Sequence, residues 1–432
     1  MLYIRSAALF HLKHYKECLR DIELAMEHGY PDTTRYKLFD RQGSVYLALG
    51  NTSEGTACFQ KALDNLLTAG LSPKATATWQ ANIGKQMENC RKATTKLASG
   101  PDSEGTKMVV PALTGEPNEK YPNSSVAVKG QYDISCGRHT VADRDIKVGD
   151  IIVSEVPFTA VMLPGEYRDK HCYQCFAATE APVPCRQCTS VLFCSRECRD
   201  KAWQQYHCAE CSFGELLKPS MCAKIGHLAA RLLMCKGIES ILSYVKSPAA
   251  GNSQPDQCGF NAEGIYDASS YDSVYHLVTS TKLRNSEDLF EFTVLSCVLV
   301  KIMVVSGFLK EISESAAESA ADLELIGGAV LRHLQIIQCN AFRIIELTRP
   351  TKFDEPKPEP VGVGLYPTAS LINHSCDPNA DLNFYGDSVV VRAIRNIPEG
   401  EEICISYGPV FYEVKPKLRH SQLKGVYFFN CK

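Results

Sequence analysis

Residues 172–211 read CYQCFAATEAPVPCRQCTSVLFCSRECRDKAWQQYHCAEC, and the spacing of their cysteines decides how the rest of the chain divides. Seven cysteines and one histidine fall in four close pairs: Cys172/Cys175, Cys185/Cys188, Cys194/Cys198 and His207/Cys211, with Cys208 left over. Each pair can grip one metal ion from a tight turn or a single helical turn, and eight thiolate or imidazole ligands complete two closed tetrahedral zinc sites. A block this short has too little apolar surface to fold alone, so metal binding and folding are expected as one event. The alternative is a disulfide knot, but disulfides belong to oxidising compartments and no charged-then-apolar secretory signal opens the chain.

Around this block lie enough residues for two to four domains: 432 in all, 45% of them hydrophobic. A net charge of -3 and a pI near 6.4 argue against bulk binding to nucleic acid or a membrane surface. The block itself sets Arg186, Arg196, Arg199 and Lys201 against four acidic residues, which is no electrostatic footprint for DNA. Cysteines elsewhere, such as Cys18, Cys58 and Cys297, sit in apolar stretches as reduced core residues do. Phe292–Leu309, FTVLSCVLVKIMVVSGFL, is long enough to span a membrane, but Lys301 at its middle favours a buried helix. A soluble intracellular protein is expected.

Towards the N-terminus the pattern becomes helical and repetitive. Ser6, Leu9, Ile22 and Ala25 recur at the same spacings as Gly43, Tyr46, Phe59 and Ala62, displaced by 37 residues. Small residues let two antiparallel helices approach, and the large ones fill the groove between them. Residues 1–93 thus resemble tetratricopeptide repeats, with Gly50-Asn51 as a turn and a further helix from Pro73 closing the stack. A generic helical bundle is the alternative. Residues 94–124, rich in Gly, Pro, Ser and Thr, read as a linker.

Strand-like alternation fills 125–171, with Gly137-Arg138-His139 in a turn and a hairpin at Val148-Gly149-Asp150. Beyond the cysteine block, 212–325 is helical with a polar interruption at 247–271, Gln335–Leu347 is an amphipathic helix, and Lys352–Pro360 a loop. Strands return at Ser388–Ala393 and Glu402–Ser406, separated by turns at Tyr385-Gly386-Asp387 and Pro398-Glu399-Gly400.

The cysteine block resembles a MYND finger, a protein-binding module. By that resemblance Cys172, Cys175, Cys194 and Cys198 hold one zinc, and Cys185, Cys188, His207 and Cys211 the other. The stretch Ser370–Cys376, SLINHSC, followed by Tyr407 within GEEICISYG, resembles the catalytic core of a SET domain, and SCGRH…VADRDIKVGD its first strands. A SET domain split by a MYND finger resembles the SET and MYND domain-containing family, in its tetratricopeptide-bearing branch. The expected fold is therefore α+β and multidomain. N-terminal helical hairpins (1–93) and the linker lead into a β-rich SET fold (125–171 and 326–415), split by the finger (172–211) and a helical insertion (212–325). The start of a post-SET region follows (416–432).

The resemblance implies protein-lysine N-methylation with S-adenosylmethionine. Tyr407 is then catalytic. Arg138, Asn340, Ser370, Leu371, Asn373, His374, Tyr407, Tyr427 and Phe429 would contact the cofactor, and Cys376 with Cys431 would form half of a third zinc site. Taken singly, Asn340 and Asn373 also read as buried asparagines tying loops, and Tyr407 as a core tyrosine. Two departures stand out: His139 replaces a glycine at the cofactor turn, and the chain ends at Cys431-Lys432, before the remaining third-site ligands. A fragment lacking the C-terminal part is therefore expected, and one that is itself inactive is compatible with this. The implied partners are proteins with exposed lysines and, through the finger and the repeats, co-repressor or histone deacetylase type proteins, without DNA or membrane. The implied location is nucleus and cytoplasm. A non-catalytic SET-fold scaffold is the competing function.

Overall fold

The structure, a computed structural model, describes residues 1–93, 109–217, 225–247, 254–309, 318–348 and 355–431. It divides into two compact units, Met1–Lys107 and Met108–Lys432.

Helical hairpins build the first unit: α1 (Leu2–His11) with α2 (Tyr15–Glu27), α3 (Tyr36–Ala48) with α4 (Thr52–Leu66), and α5 (Pro73–Ala93) against α4. The repeated positions face the interior, with Ser6, Ile22, Phe59 and Ala62 fully buried; Tyr46 departs and is only half-buried. Gly43 must be small because a Cβ there would lie 2.7 Å from the Phe59 ring. Gly50, at φ +78°, makes the turn between α3 and α4, and Asn51 caps α4 by accepting from the Glu54 N–H at 3.2 Å.

The second unit is a set of small sheets. β1 (Val128–Asp133) pairs with β2 (Gly137–Ala142), and β3 (Ile151–Glu155) lies at the edge of a sheet ordered β10 (Ala380–Tyr385), β11 (Ser388–Ala393), β3. A second three-stranded sheet runs β4 (Thr159–Met162), β8 (Lys357–Leu365), β7 (Ala341–Thr348). β9 (Asn373–His374) is parallel to β12 (Cys404–Ile405), and β5 (Val183–Pro184) pairs with β6 (Leu192–Phe193) inside the cysteine block. That block adds α6 (Arg196–Ala202) and α7 (Cys208–Phe213). The helical insertion supplies α8 (Ile225–Lys236), α9 (Ile238–Lys246), α10 (Tyr271–Tyr275), α11 (Ser286–Val305) and α12 (Glu318–Asn340), and α13 (Pro416–Tyr427) closes the chain. Finger residues Tyr173, Phe176 and Phe193 share one apolar core with Val161, Leu228 and Leu334. A side chain at Gly362 of β8 would collide with the Phe176 ring at 2.3 Å, so the finger seats on bare backbone.

Several expectations change. Of the linker 94–124, residues 94–108 lie outside the described residues, and the remainder packs on the sheet. Thr114 donates its N–H to the Ile151 carbonyl at 3.1 Å, Ser125 to Ile152 at 2.8 Å, and Asn123 accepts from Ser154 at 3.0 Å. Its polar residues satisfy the open edge of β3. The helix expected over Gln335–Leu347 stops at Asn340, because the apolar residues that follow pair with β8 as strand β7. The loop expected at Lys352–Pro360 supplies the start of β8 from Lys357. Arg138 and His139 lie in β2, just past a turn that Gly137 leaves at φ +75°. Val148-Gly149-Asp150 does turn the chain, but β3 pairs with β11 and not with β2. The strand at Glu402–Ser406 shortens to Cys404–Ile405. Phe292–Leu309 begins inside α11, which buries Leu295, Leu299 and Met303; no helix of the described residues is long and apolar enough to cross a membrane.

Candidate functional site

The finger's eight ligand residues come together as two sets of four. Cys172, Cys175, Cys194 and Cys198 form one, and Cys185, Cys188, His207 and Cys211 the other, each with all donor atoms within 4.8 Å of one another. Tetrahedral zinc with ligands near 2.3 Å needs donor separations of about 3.8 Å. Cys175 and Cys194 stand 3.7 Å apart, Cys185 and Cys211 3.9 Å, and the Cys188 sulfur lies 3.5 Å from His207 Nε2. The donor sets fit zinc. Tight turns supply the first ligands of each set, while α6 and the turn before α7 supply Cys198 and His207. Cys208 is exposed and stays outside both sets.

Beneath the second set lies an ion network that the sequence reading missed. The Glu210 carboxylate, 3.8 Å from His207 Nδ1, accepts both Nε and NH2 of Arg231 at 2.8 Å and faces His227 at 2.7 Å. Arg231 also donates to the Ala160 carbonyl at 2.5 Å and lies between the Tyr206 and Tyr173 rings, 4.0 and 4.6 Å from their centroids. Burial alone would push the Glu210 carboxyl up, but Arg231 and His227 outweigh it and hold it well below the usual carboxylate range. The available signal was an arginine inside the otherwise apolar stretch LAARLLMC, residues 228–235, where only a buried partner makes it tolerable.

The second group of expected residues converges around Tyr407. Its hydroxyl donates to the Ile372 carbonyl at 2.8 Å, and its N–H to His374 Nδ1 at 2.9 Å. Burial pushes the phenol well above its ordinary range, so the hydroxyl keeps its proton. Tyr427 stacks obliquely on Tyr407 at 4.9 Å, and the Phe429 ring lies 6.3 Å from Tyr407 and 5.9 Å from His374. Asn340, at the end of α12, gives both amide hydrogens to the carbonyls of Val278 and Ile336 at 2.8 Å, so Oδ1 is the atom it can offer a ligand. Ser370 donates to the Tyr366 carbonyl at 2.8 Å. Asn340, Ser370, Tyr407 and Tyr427 line a cavity of about 1270 Å³ that runs between the β7 strand and β10.

Not every expected residue joins them. Arg138 and Leu371 line a separate cavity of about 890 Å³, together with His139. The Arg138 guanidinium donates to the carbonyls of Cys258 at 2.7 Å and His276 at 2.5 Å, which pins the polar interruption. Asn373 donates to Glu402 at 3.0 Å, tying β9 to the segment that leads into β12. His139 folds its Nδ1 back onto the Gly137 carbonyl at 3.1 Å, so its ring is accommodated locally. The Asn340 oxygen and the aromatic ring of Tyr427 in one cavity suit a cofactor carrying both an amino acid and a purine ring.

His374 joins Cys376 and Cys431 in a third group of possible ligands. Burial, with Arg419 nearby, pulls the imidazole down to about 4, so the ring is neutral. Because Nδ1 accepts the Tyr407 N–H, the ring proton sits on Nε2, which faces the Cys376 sulfur at 3.2 Å. A protonated nitrogen is no ligand, and the two sulfurs that remain do not fit a closed zinc site.

The family model for the SET domain matches residues 137–408. Similar proteins include human "Protein-lysine N-methyltransferase SMYD4", 28% identical over 99% of this chain and 60% of its own length. The chicken protein of that name is 27% identical over 94% of this chain and 62% of its own. Mouse "Histone-lysine N-methyltransferase SMYD3" is 26% identical over 66% of this chain. The chain spans about 60% of the length of the SMYD4 relatives it matches. Strands on both sides of the two ligand sets, all inside one matched stretch, put this chain in the SET domain family, where its similarity runs to the SMYD proteins.

Proposed function

We propose that this chain carries the catalytic part of a protein-lysine N-methyltransferase that uses S-adenosylmethionine. The observation behind this reading is Tyr407: partly buried, still protonated, with its hydrogen committed to the Ile372 carbonyl and its ring among Tyr427 and Phe429. When bound, the cofactor supplies a methyl group on a positively charged sulfur. That methyl would pass to a neutral lysine nitrogen, the sulfur keeping the electron pair and the amine's surplus proton going to water, while the chain's own residues would bind, dry and orient the two partners.

For this the amine must first be neutral, and free lysine is neutral only about once in 10³ to 10⁴ molecules at pH 7. The Tyr407, Tyr427 and Phe342 walls disfavour the ammonium form by withdrawing water. Tyr407 oxygen, its hydrogen already given away, turns lone pairs towards the cavity and orients the amine as a fixed dipole. Asn340 and Ser370 hold the cofactor's polar end beside Tyr427, while Asn373 braces β9 and His374 and Phe429 pack against Tyr407. Arg138 contributes by pinning the Cys258–His276 segment. The two finger sites hold structural zinc, and the finger and helical repeats dock protein partners of the co-repressor type in nucleus and cytoplasm. Similarity to named methyltransferases does not favour the scaffold reading.

The test is calorimetric titration of S-adenosylmethionine into the zinc-loaded protein, with methylation of a lysine peptide library read by mass. Micromolar binding, weakened at least tenfold by Asn340→Ala, is expected. Absence of binding by zinc-loaded protein with native circular dichroism would sink the proposal.

A further inference from the structure

Glu155 is the last residue of β3 and is 2% exposed. Its Oε1 accepts the N–H of Thr368 and its Oε2 the N–H of Ala369, both at 2.9 Å. Among the described residues it has no ion-pair partner. The phenols of Tyr266 and Tyr366 interact with it electrostatically, and both are pushed up by burial and therefore neutral. An unpaired buried carboxylate is expensive, and the fold tolerates this one where two backbone donors would otherwise be orphaned.

What those donors open is the turn Ala369–Leu371. It continues directly into Ile372, whose carbonyl takes the Tyr407 hydroxyl, and into β9. Ser370 in the same turn lines the large cavity and Leu371 the smaller one. We propose that Glu155 is a positioning residue: its ionised carboxylate clamps the 368–372 turn and thereby sets the carbonyl that orients Tyr407 and the cofactor-facing edge of Ser370. The cofactor part of this inference rests on the methyltransferase reading; the clamp itself does not.

Burial pushes the Glu155 carboxyl up to about 7, only partly offset by the Thr368 and Ala369 donors. Protonation adds a hydrogen to one oxygen and makes it a poorer acceptor, so the N–H bond to that oxygen is weakened. The clamp is therefore closed above about pH 7 and loosens below it.

Amide hydrogen exchange on the zinc-loaded protein reads this without any cofactor. In the wild type, protection factors at Thr368 and Ala369 should fall at least tenfold between pH 8 and pH 6, while those at Val390 and Val391 hold. Glu155→Gln should show the low value at both pH values, and its dissociation constant for S-adenosylmethionine at pH 8 should rise about tenfold. Protection at the two amides that ignores both pH and the substitution would overturn the clamp. A pH-dependent clamp with S-adenosylmethionine affinity unchanged in the variant would overturn its role towards the cofactor. A wild type that clamps but binds no cofactor would uphold the clamp and fail the methyltransferase reading.

Discussion

Tyr407 can serve methyl transfer without losing its proton, because a hydroxyl that donates to Ile372 still offers lone pairs on its other side. A general base would need a phenol pulled down towards neutral pH, and burial pushes this one the opposite way. The distinction has a measurable consequence. Tyr407→Phe keeps the ring packed on Tyr427 and removes only the oriented oxygen. The rate of methyl transfer should fall roughly 100-fold or more, as for loss of one preorganised dipole, with the cofactor dissociation constant within about threefold of wild type. Were Tyr407 instead a packing residue, Tyr407→Phe would leave the rate intact, and single-turnover kinetics separates the two. The same site shows what a resemblance transfers poorly. Asn340 and Tyr427 do share one cavity, whereas Arg138 spends its guanidinium on two backbone carbonyls. The tie read for a buried asparagine and the ligand role also coexist: Asn340 ties the end of α12 with its amide hydrogens and keeps its oxygen.

At the scale of elements, the finger was the most legible part of the chain, because ligand chemistry demands fixed residue types at short separations that no packing rule requires. β7 was the least legible. Apolar residues at 341, 342, 344, 345 and 347 continue the spacing of α12, and only pairing with β8, a partner distant in sequence, makes them a strand. The join between finger and helical insertion was equally hidden, since Glu210 and Arg231 belong to different elements and meet only in the fold. That join should matter more than any surface ion pair. Arg231→Met leaves Glu210 charged and buried beside His207, and breaking a buried pair this way costs about 3–5 kcal/mol. Denaturant unfolding should show a loss of that order, and competition with a colorimetric chelator should show faster zinc release from the Cys185/Cys188/His207/Cys211 set. The double variant Glu210→Gln with Arg231→Met should recover part of the loss. Equal losses in the single and double variants would remove the network from the account.

Across the whole molecule, chemistry and repeats fall in different compact units: every residue around Tyr407 and both ligand sets belong to Met108–Lys432. The integrity of the helical hairpins can therefore be tested by itself. Gly43 is the position for it, because a Cβ there would stand 2.7 Å from Phe59, a fully buried ring of α4 packed against α3. Overpacking a filled core costs about 1–3 kcal/mol, and a fully buried ring leaves little room to yield. Gly43→Leu should therefore strip amide-exchange protection from α3 and α4 by at least tenfold. Zinc content and cofactor affinity should stay within about twofold of wild type, because the ligand sets and the residues around Tyr407 belong to the other compact unit. If the substitution instead lowered cofactor affinity along with repeat protection, the hairpins would have to be counted as part of the catalytic machinery. A selective loss would place the hairpins outside the catalytic chemistry.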